Sequence, residues 1–408
     1  MTKKLLFIPI LFLLGDLYFY QAIATLYKSS FASLLYWGLD LCVLLFILAL
    51  VWMRKTGKTI QMWIPRALTA FLLLFVPKLF ASSVLVAEDV TRLLRGFPDR
   101  NMAISEVSLF LAMIIFVIII FGLTHGRHFY KIRRETLYFS DLPSAFDGFT
   151  ITQLSDIHSG SLTNRTGVKK GIDLANAQRS DLLLFTGDLV NNMASEMDPW
   201  IEDFTKLTAP YGKYAVLGNH DYGDYTRWEN PSAQAANLRQ LKEMHRNMGF
   251  QLLLNQAVTI HKQGQQISLI GVENWGKGGF HQYGDLQKAT KQVPDDAFKI
   301  LMSHDPSHWD EVTLDHHQHI HLTLAGHTHG LQFGVELFGF KWSPIQYFYK
   351  QWAGLYMKSD KYLYVNRGFG YHGLKGRVGV WPEITVLTLR RQGLQVVPQP
   401  QVSMQANS

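Results

Sequence analysis

The chain holds 408 residues with a formal net charge of +7 and a single cysteine, Cys42. One cysteine excludes a disulfide framework and a cysteine-ligated metal site. The sequence carries no nucleic-acid-binding module, internal repeat, Walker loop or dinucleotide fingerprint, so no nucleic acid is expected among its partners.

The N-terminal third reads as membrane. Residues 5–26, 34–53, 67–87 and 107–124 are apolar runs, each long enough to cross a hydrocarbon core of about 30 Å. Lys3 and Lys4 before the first run suggest a signal peptide. That run is too long, lacks a small-residue cleavage site and is followed by further spans. Four transmembrane helices are therefore expected within residues 1–126. If they alternate, Lys3 and Lys4, then Arg54, Lys55 and Lys58, then Arg127, Lys131, Arg133 and Arg134 all fall on one side. By the positive-inside tendency that side is cytoplasmic and holds the rest of the chain, as in a multi-pass plasma (inner) membrane protein. Arg92, Arg95 and Arg100 in the opposite loop weaken this bias without reversing it. Asp16, Asp40 and Lys78 fall inside spans, where unpaired charge is costly. Asp40 and Lys78 lie at similar depth, which predicts a structural ion pair, with Asp16 as a competing partner and a polar path or headgroup pocket as the alternative.

Residues 127–145 are expected to form a juxtamembrane linker, residues 146–392 an α/β domain, and residues 393–408 a polar tail. Short apolar runs at 149–154, 182–185, 214–217, 298–302 and 320–324 read as buried strands, and 166–178 and 232–248 as helices. Each strand run is followed by a phrase that can bind metal. These are Ser155-Asp156-Ile157-His158, Thr186-Gly187-Asp188, Gly218-Asn219-His220-Asp221, Ser303-His304-Asp305-Pro306 and Gly326-His327-Thr328-His329-Gly330. In α/β sheets, sites gather at the carboxyl ends of strands. Ligands one residue apart on an emerging strand share one side, so Asp156 with His158, and His327 with His329, can converge. Five such phrases imply a dinuclear centre. Its carboxylate, imidazole and amide donors suit Mn, Fe or Zn.

The order D-x-H, G-D, G-N-H-D, a lone H and G-H-x-H resembles the calcineurin-like metallophosphoesterases over residues 146–392. It is most similar to the branch reading G-H-T-H-G-x-Q, here residues 326–332, followed by Y-V-x-x-G-x-G at 364–370 and P-E-I-T at 382–385. The resemblance implies a four-layer α/β/β/α sandwich, here preceded by a four-helix transmembrane bundle. It also implies one metal on Asp156, His158 and His329, a second on Asn219, His304 and His327, and Asp188 bridging them. The nucleophile would be a water activated between the metals. His220 would protonate the leaving oxygen or stabilise the phosphorane, oriented by Asp221.

Other residues carry weaker signals. His308, His316, His317, His319 and His321 crowd the approach to the last phrase and are expected to be solvated loop and strand residues. Arg367, Lys375 and Arg377 are candidates for a substrate phosphate, with a structural or solvated role as the alternative. Phe338, Phe340, Trp342, Tyr347, Phe348, Tyr349 and Trp352 interleave with Lys341 and Lys350. That is the composition of an interfacial anchor; packing onto the domain is the alternative. The expected activity is hydrolysis of a phosphate ester or pyrophosphate on a lipid or lipid-linked molecule at the bilayer. Membrane-associated relatives of the resembled family act on UDP-2,3-diacylglucosamine in lipid A synthesis, which makes that molecule a named candidate. Three alternatives are weighed against it: a non-catalytic receptor or scaffold, a tethered phosphodiesterase for soluble substrates, and a transporter. The last is disfavoured by the lack of broken-helix repeats.

Overall fold

The computed structural model describes residues 3–57 and 63–392, with side chains from residue 13 onward. The chain divides into two compact units, Met1–His125 with Gly373–Val378, and Gly126–His372 with Gly379–Ser408.

The first unit is helical: α1 (Lys3–Leu26), α2 (Ser30–Lys55), α3 (Ile64–Leu93) and α4 (Met102–Thr124). Among the described residues, three helices, α2 to α4, are long and apolar enough to cross a membrane, one fewer than expected. The expected first span, 5–26, begins with residues whose side chains lie outside the described set, as do those of Lys3, Lys4 and Lys58. Apolar side chains such as Phe31, Leu34, Leu44 and Phe110 face outward, while Asp16, Asp40, Lys78 and Ser82 are buried. A lipid solvent selects this inversion, because polar groups must find their partners inside the protein. Lys78 Nζ lies 2.6 Å from Asp40 Oδ1 and 2.8 Å from Asp16 Oδ1, so both carboxylates pair with it at once. The Tyr36 hydroxyl donates to Asp16 Oδ1 at 2.5 Å. Ser82 Oγ donates to the Gly15 carbonyl at 3.0 Å and Ser108 Oγ to the Ala81 carbonyl at 2.9 Å, tying α1 and α4 to α3. Arg100 closes the far end of α3 on Glu88 (2.6 Å) and Asp89 (2.9 Å).

The second unit contains β1 (Lys131–Phe139), β2 (Thr150–Leu154), β3 (Leu182–Phe185), β4 (Lys213–Ala215), β5 (Gln251–Leu252), β6 (Gln256–Lys262) and β7 (Gln265–Gly271). These are followed by β8 (Lys299–Met302), β9 (Leu322–Ala325), β10 (Val335–Leu337), β11 (Phe340–Trp342), β12 (Gly354–Lys358), β13 (Lys361–Val365) and β14 (Glu383–Arg391). They build two six-stranded sheets, β1-β14-β2-β3-β4-β5 and β12-β13-β9-β8-β7-β6, and a small hairpin, β10-β11. Burial on both faces follows the period of two. Leu182 and Leu184 of β3 join Ile300 and Met302 of β8 in the core between the sheets. Leu183 and Phe185 turn to the helices Arg165–Asn176 and Pro231–Asn247, and Leu301 turns to the helix Leu286–Thr290 on the opposite outer face. The layers are thus helix, sheet, sheet, helix. The helices start where short polar caps allow: Asn164 Oδ1 accepts from the Gly167 amide, and Asn230 Oδ1 from the Ala233 amide ahead of Pro231.

One correction concerns residues 127–145, expected as a linker. They supply β1, which pairs along its whole length with β14 and buries Leu137 and Phe139 in the inter-sheet core. Charged residues on its other positions mask that alternation in the sequence.

Candidate metal centre

The loops after β2, β3, β4, β8 and β9 carry the five ligand phrases, and they meet at one place. Donor atoms of Asp156, His158 and His329 lie within 4.8 Å of one another, as do those of Asp188, His304 and His327. His158 Nε2 and His329 Nε2 stand 3.0 Å apart, and His329 Nε2 is 3.3 Å from Asp156 Oδ1. In the second group His304 Nε2 is 3.3 Å and Asn219 Oδ1 2.8 Å from His327 Nδ1. A single oxygen, Asp188 Oδ2, faces both groups: it is 3.1 Å from His304 Nε2 and 3.6 Å from His158 Nε2.

Convergence comes from turns rather than from strand pleat. Asp156, His158, Asp188, His327 and His329 all have positive φ, between 48° and 71°. Left-handed backbone outside glycine costs of order 1–3 kcal/mol per residue and persists where the surroundings enforce it, as at functional sites. Here the Asp156 and Ile157 amides donate to the Gly187 and Asp188 carbonyls, and the His327 amide donates to the Asp156 carboxylate at 3.0 Å. Gly326 permits that approach, since a Cβ there would overlap Ser155 Oγ and the Asp156 carboxylate.

The ring orientations are set from behind. His304 Nδ1 donates to the Thr186 carbonyl at 2.7 Å, and His158 Nδ1 lies 3.1 Å from Asn191 Oδ1, which leaves each Nε2 for the centre. Burial opposes charge on every one of these groups. Even so, His304 and His220 hold the Asp188 carboxyl well below the usual carboxylate range, and His329 and His304 hold Asp156 low. Asp188 in turn pushes buried His304 up to about 10, and burial keeps His158 well below an ordinary imidazole. The field at the centre therefore favours positive charge among oxygen and imidazole donors, and the donor set fits divalent cations.

The proposed acid and its partner are arranged otherwise than expected. His220 Nδ1 donates to the Asn191 carbonyl at 2.7 Å, and that carbonyl orients the ring. Asp221 does not pair with His220. Its buried carboxylate accepts from the amides of Asp188 (2.9 Å), Gly218 (2.9 Å) and Leu189 (2.8 Å), pinning the loops that bear Asp188 and Asn219. Three backbone donors outcompete one imidazole.

A cleft of about 560 Å³ lies over the centre. His158, Asp188, Asn219, His220, His327 and His329 line it together with Phe280, Leu331, Ile345, Phe348 and Tyr349. The Tyr349 hydroxyl lies 2.8 Å from His327 Nε2. Lys277 is the cation in the lining; Arg367, Lys375 and Arg377 are not part of it. Arg367 is buried in ion pairs with Glu336 and Glu383, each 2.6 Å. Lys375 and Arg377 belong to the segment Gly373–Val378, grouped with the helical unit, where the Arg377 amide donates to the Gly122 carbonyl. The expected aromatic anchor divides. Phe338 is 98% exposed, and Phe340, Tyr347 and Phe348 are exposed as well, while Trp342 is half-buried. Trp352 is 1% exposed and its carbonyl accepts from Thr328 Oγ1, between two candidate ligands, so it belongs to the core. The solvated reading of the neighbouring histidines also needs correcting. His308 is buried against Ser303 Oγ (2.8 Å), and His321 is buried between the Lys299 amide and Asp141.

Two contributors escaped the sequence reading, Asn191 and His372, the latter another imidazole lining the cleft, and Tyr349, read there as part of an aromatic anchor, instead reaches His327. Asn191 stands three residues beyond Asp188, and His372 follows the G-x-G of 368–370, but neither falls within a ligand phrase.

Comparison with known proteins agrees with this geometry. The profile described as "Calcineurin-like phosphoesterase" matches residues 149–331, and "Probable Calcineurin-like phosphoesterase, transmembrane domain" matches residues 3–127. An uncharacterised metallophosphoesterase of Bacillus subtilis, YkuE, is 31% identical over 266 residues, 64% of this chain and 86% of that protein. A zebrafish transmembrane protein with a metallophosphoesterase domain is 27% identical over 69% of this chain, which spans 62% of its length. The phosphodiesterase YaeI of Escherichia coli is 28% identical over 64% of this chain and 88% of its own. The chain accordingly belongs to the calcineurin-like metallophosphoesterases and is a hydrolase with a transmembrane domain.

Proposed function

We propose that this hydrolase is a membrane-embedded, two-metal phosphohydrolase that cleaves a phosphate ester or pyrophosphate on a lipid or lipid-linked molecule. The observation that carries the substrate class is the mixed lining of the cleft, where acid and imidazole donors stand beside Phe280, Leu331, Ile345 and Phe348. An amphiphile presents a charged group next to an apolar body, and this lining suits both halves at once. The exposed Phe338, Phe340 and Phe348 support entry from an apolar phase.

Asp156, His158 and His329 would hold one divalent ion and Asn219, His304 and His327 the other, with Asp188 between them. Bound Mn, Fe or Zn ions supply Lewis acidity and a water acidic enough to deprotonate near neutral pH. The protein does the rest. A carbonyl can only accept, so the Asn191 carbonyl makes His220 Nδ1 an N–H, and Nε2 passes a proton to the leaving oxygen when the ring is the doubly protonated imidazolium. The apolar side chains in the lining keep bulk water off the reacting group.

We further place the catalytic unit on the cytoplasmic face of the plasma (inner) membrane. Arg54, Lys55, Arg127 and Lys131 support this orientation, while on the opposite side Arg92 and Arg100 are ion-paired with Asp89 and Glu88.

The test is purified full-length protein in proteoliposomes with Mn²⁺, assayed against lipid phosphates, UDP-2,3-diacylglucosamine, nucleotide diesters and small aryl esters. Preference for lipid-phase substrates is expected. Turnover of soluble diesters alone would leave a tethered soluble-substrate phosphodiesterase, and metal-loaded protein with no turnover at all would leave a receptor or scaffold.

A further inference from the structure

We propose that His372 is a substrate-contacting residue that reaches the bound phosphoryl group beside His220; this rests on the phosphohydrolase reading above. The loop that carries it, between β13 and β14, is stitched to the centre. The Phe369 amide donates to the Ser155 carbonyl at 2.7 Å, the Gly370 amide to the Asp156 carbonyl at 2.9 Å, and the His372 amide to Gln332 Oε1 at 2.5 Å. Gly370 has to be glycine for this approach, because a Cβ would overlap the Ile157 carbonyl. The loop is therefore built onto the D-x-H turn.

The ring is aimed as deliberately as the ligands. His372 Nδ1 lies 3.0 Å from Asn191 Oδ1, the same atom that holds His158 Nδ1, while the Asn191 carbonyl holds His220. Three imidazoles hang from one asparagine. Their ring centroids stand 4.7 Å (His372 to His158) and 4.6 Å (His372 to His220) apart, and one ring nitrogen from each falls within 4.8 Å of the others. With Nδ1 held by Asn191, the edge carrying Nε2 is the one left for a ligand.

Position separates His372 from the metal-holding set. His158, Asp188, His304 and His329 are buried and His327 is partly buried, whereas His372 is exposed at the cleft they share. Arg367, expected to meet the phosphate, is engaged in ion pairs, and neither Lys375 nor Arg377 lines the cleft. As an imidazolium, with Nδ1–H on Asn191 Oδ1 and Nε2–H free, a ring beside His220 fills that need with a charge-assisted hydrogen bond to a phosphoryl or leaving oxygen.

Full-length wild-type, His372→Ala and His372→Gln proteins, loaded with Mn²⁺, test this by three readouts. These are bound metal by elemental analysis, kcat and KM on p-nitrophenyl and alkyl phosphate esters, and binding of inorganic phosphate by calorimetry. Expected are unchanged metal content, kcat/KM lowered about 10–100-fold in His372→Ala with partial recovery in His372→Gln, and weaker phosphate binding. Unchanged kinetics and phosphate affinity, or metal lost in step with activity in both variants, would overturn it. If the wild-type protein hydrolyses no ester, the phosphohydrolase reading fails. Phosphate affinity then still decides His372: weakened in His372→Ala it stands as an oxyanion contact, unchanged it falls.

Discussion

Asp188 is the proposed bridge between the two donor groups, its Oδ2 lying near His304 Nε2 of one and His158 Nε2 of the other. Asp188→Asn removes the charge while nearly preserving shape, so it should lose bound metal as well as turnover. Elemental analysis decides this, and two metals per chain retained in the variant would remove the bridging role. His220 has no such position. Its replacement in His220→Ala should cut kcat by about 10²–10⁴-fold with both metals kept. Simultaneous loss of metal would make it a ligand instead. His245 makes a different prediction, about stability. It is fully buried beside Phe185 and Phe250, neither ring nitrogen has a hydrogen-bond partner among the described residues, and burial pushes it down to about 3. Between that value and the ordinary value near 6.5 the unfolded chain binds a proton that the folded chain refuses. This contribution is therefore neutral above pH 6.5 and destabilises by about 1.4 kcal/mol per unit as pH falls further. His245→Phe should flatten the loss of unfolding midpoint between pH 7 and pH 5 relative to wild type in detergent. Parallel pH profiles would show that the ring is protonated in the folded state.

At the level of elements, the helical unit depends on one cation shared by two acids. Lys78 of α3 meets Asp16 of α1 and Asp40 of α2, and Tyr36 of α2 adds a hydrogen bond to Asp16. Breaking a buried pair by removing one partner commonly costs about 3–5 kcal/mol, because the other charge is left stranded. Lys78→Ala strands two carboxylates and should lower the unfolding temperature of the detergent-solubilised protein sharply. The double variant Lys78→Ala, Asp40→Ala should recover part of that loss and leave Asp16 as the remaining cost. Strictly additive losses would mean the three groups do not act as a unit.

For the molecule as a whole, the question is which phase delivers the substrate. Trp352 cannot test this, since it packs under the loop of His327 and His329 and its loss would disturb the centre itself. Phe338 and Phe348 can, being exposed and outside the donor set. Phe338→Ser with Phe348→Ser should reduce activity on a lipid-phase phosphate several-fold more than on a small soluble ester. The soluble ester reports on folding and on the metals. Equal losses on both would place these rings in packing or catalysis, and full activity on both would point to a soluble substrate held near the membrane only by its helices.

How much of this was legible in the sequence follows from what kind of signal each feature leaves. The five ligand phrases could be read because metal chemistry needs particular side chains, and the runs before them because buried strands are continuously apolar. The apolar helices declared themselves by length. The Lys78 pair was legible from depth counting, yet its sharing by both acids was not, since that depends on how α1 meets α3. β1 stayed hidden because its partner, β14, is some 250 residues away and Lys131, Arg133, Arg134 and Glu135 put charge on both faces of its first half. The sequence alone determined the ligand chemistry and the division into apolar and polar parts, both of which rest on residue type and local spacing. Only the tertiary structure decided that Asn191 rather than Asp221 orients His220, that Arg367 is committed to Glu336 and Glu383, and that His372 stands at the cleft. Those outcomes depend on which distant loops compete for one polar group, and left-handed turns at five ligands bring those loops within hydrogen-bond range.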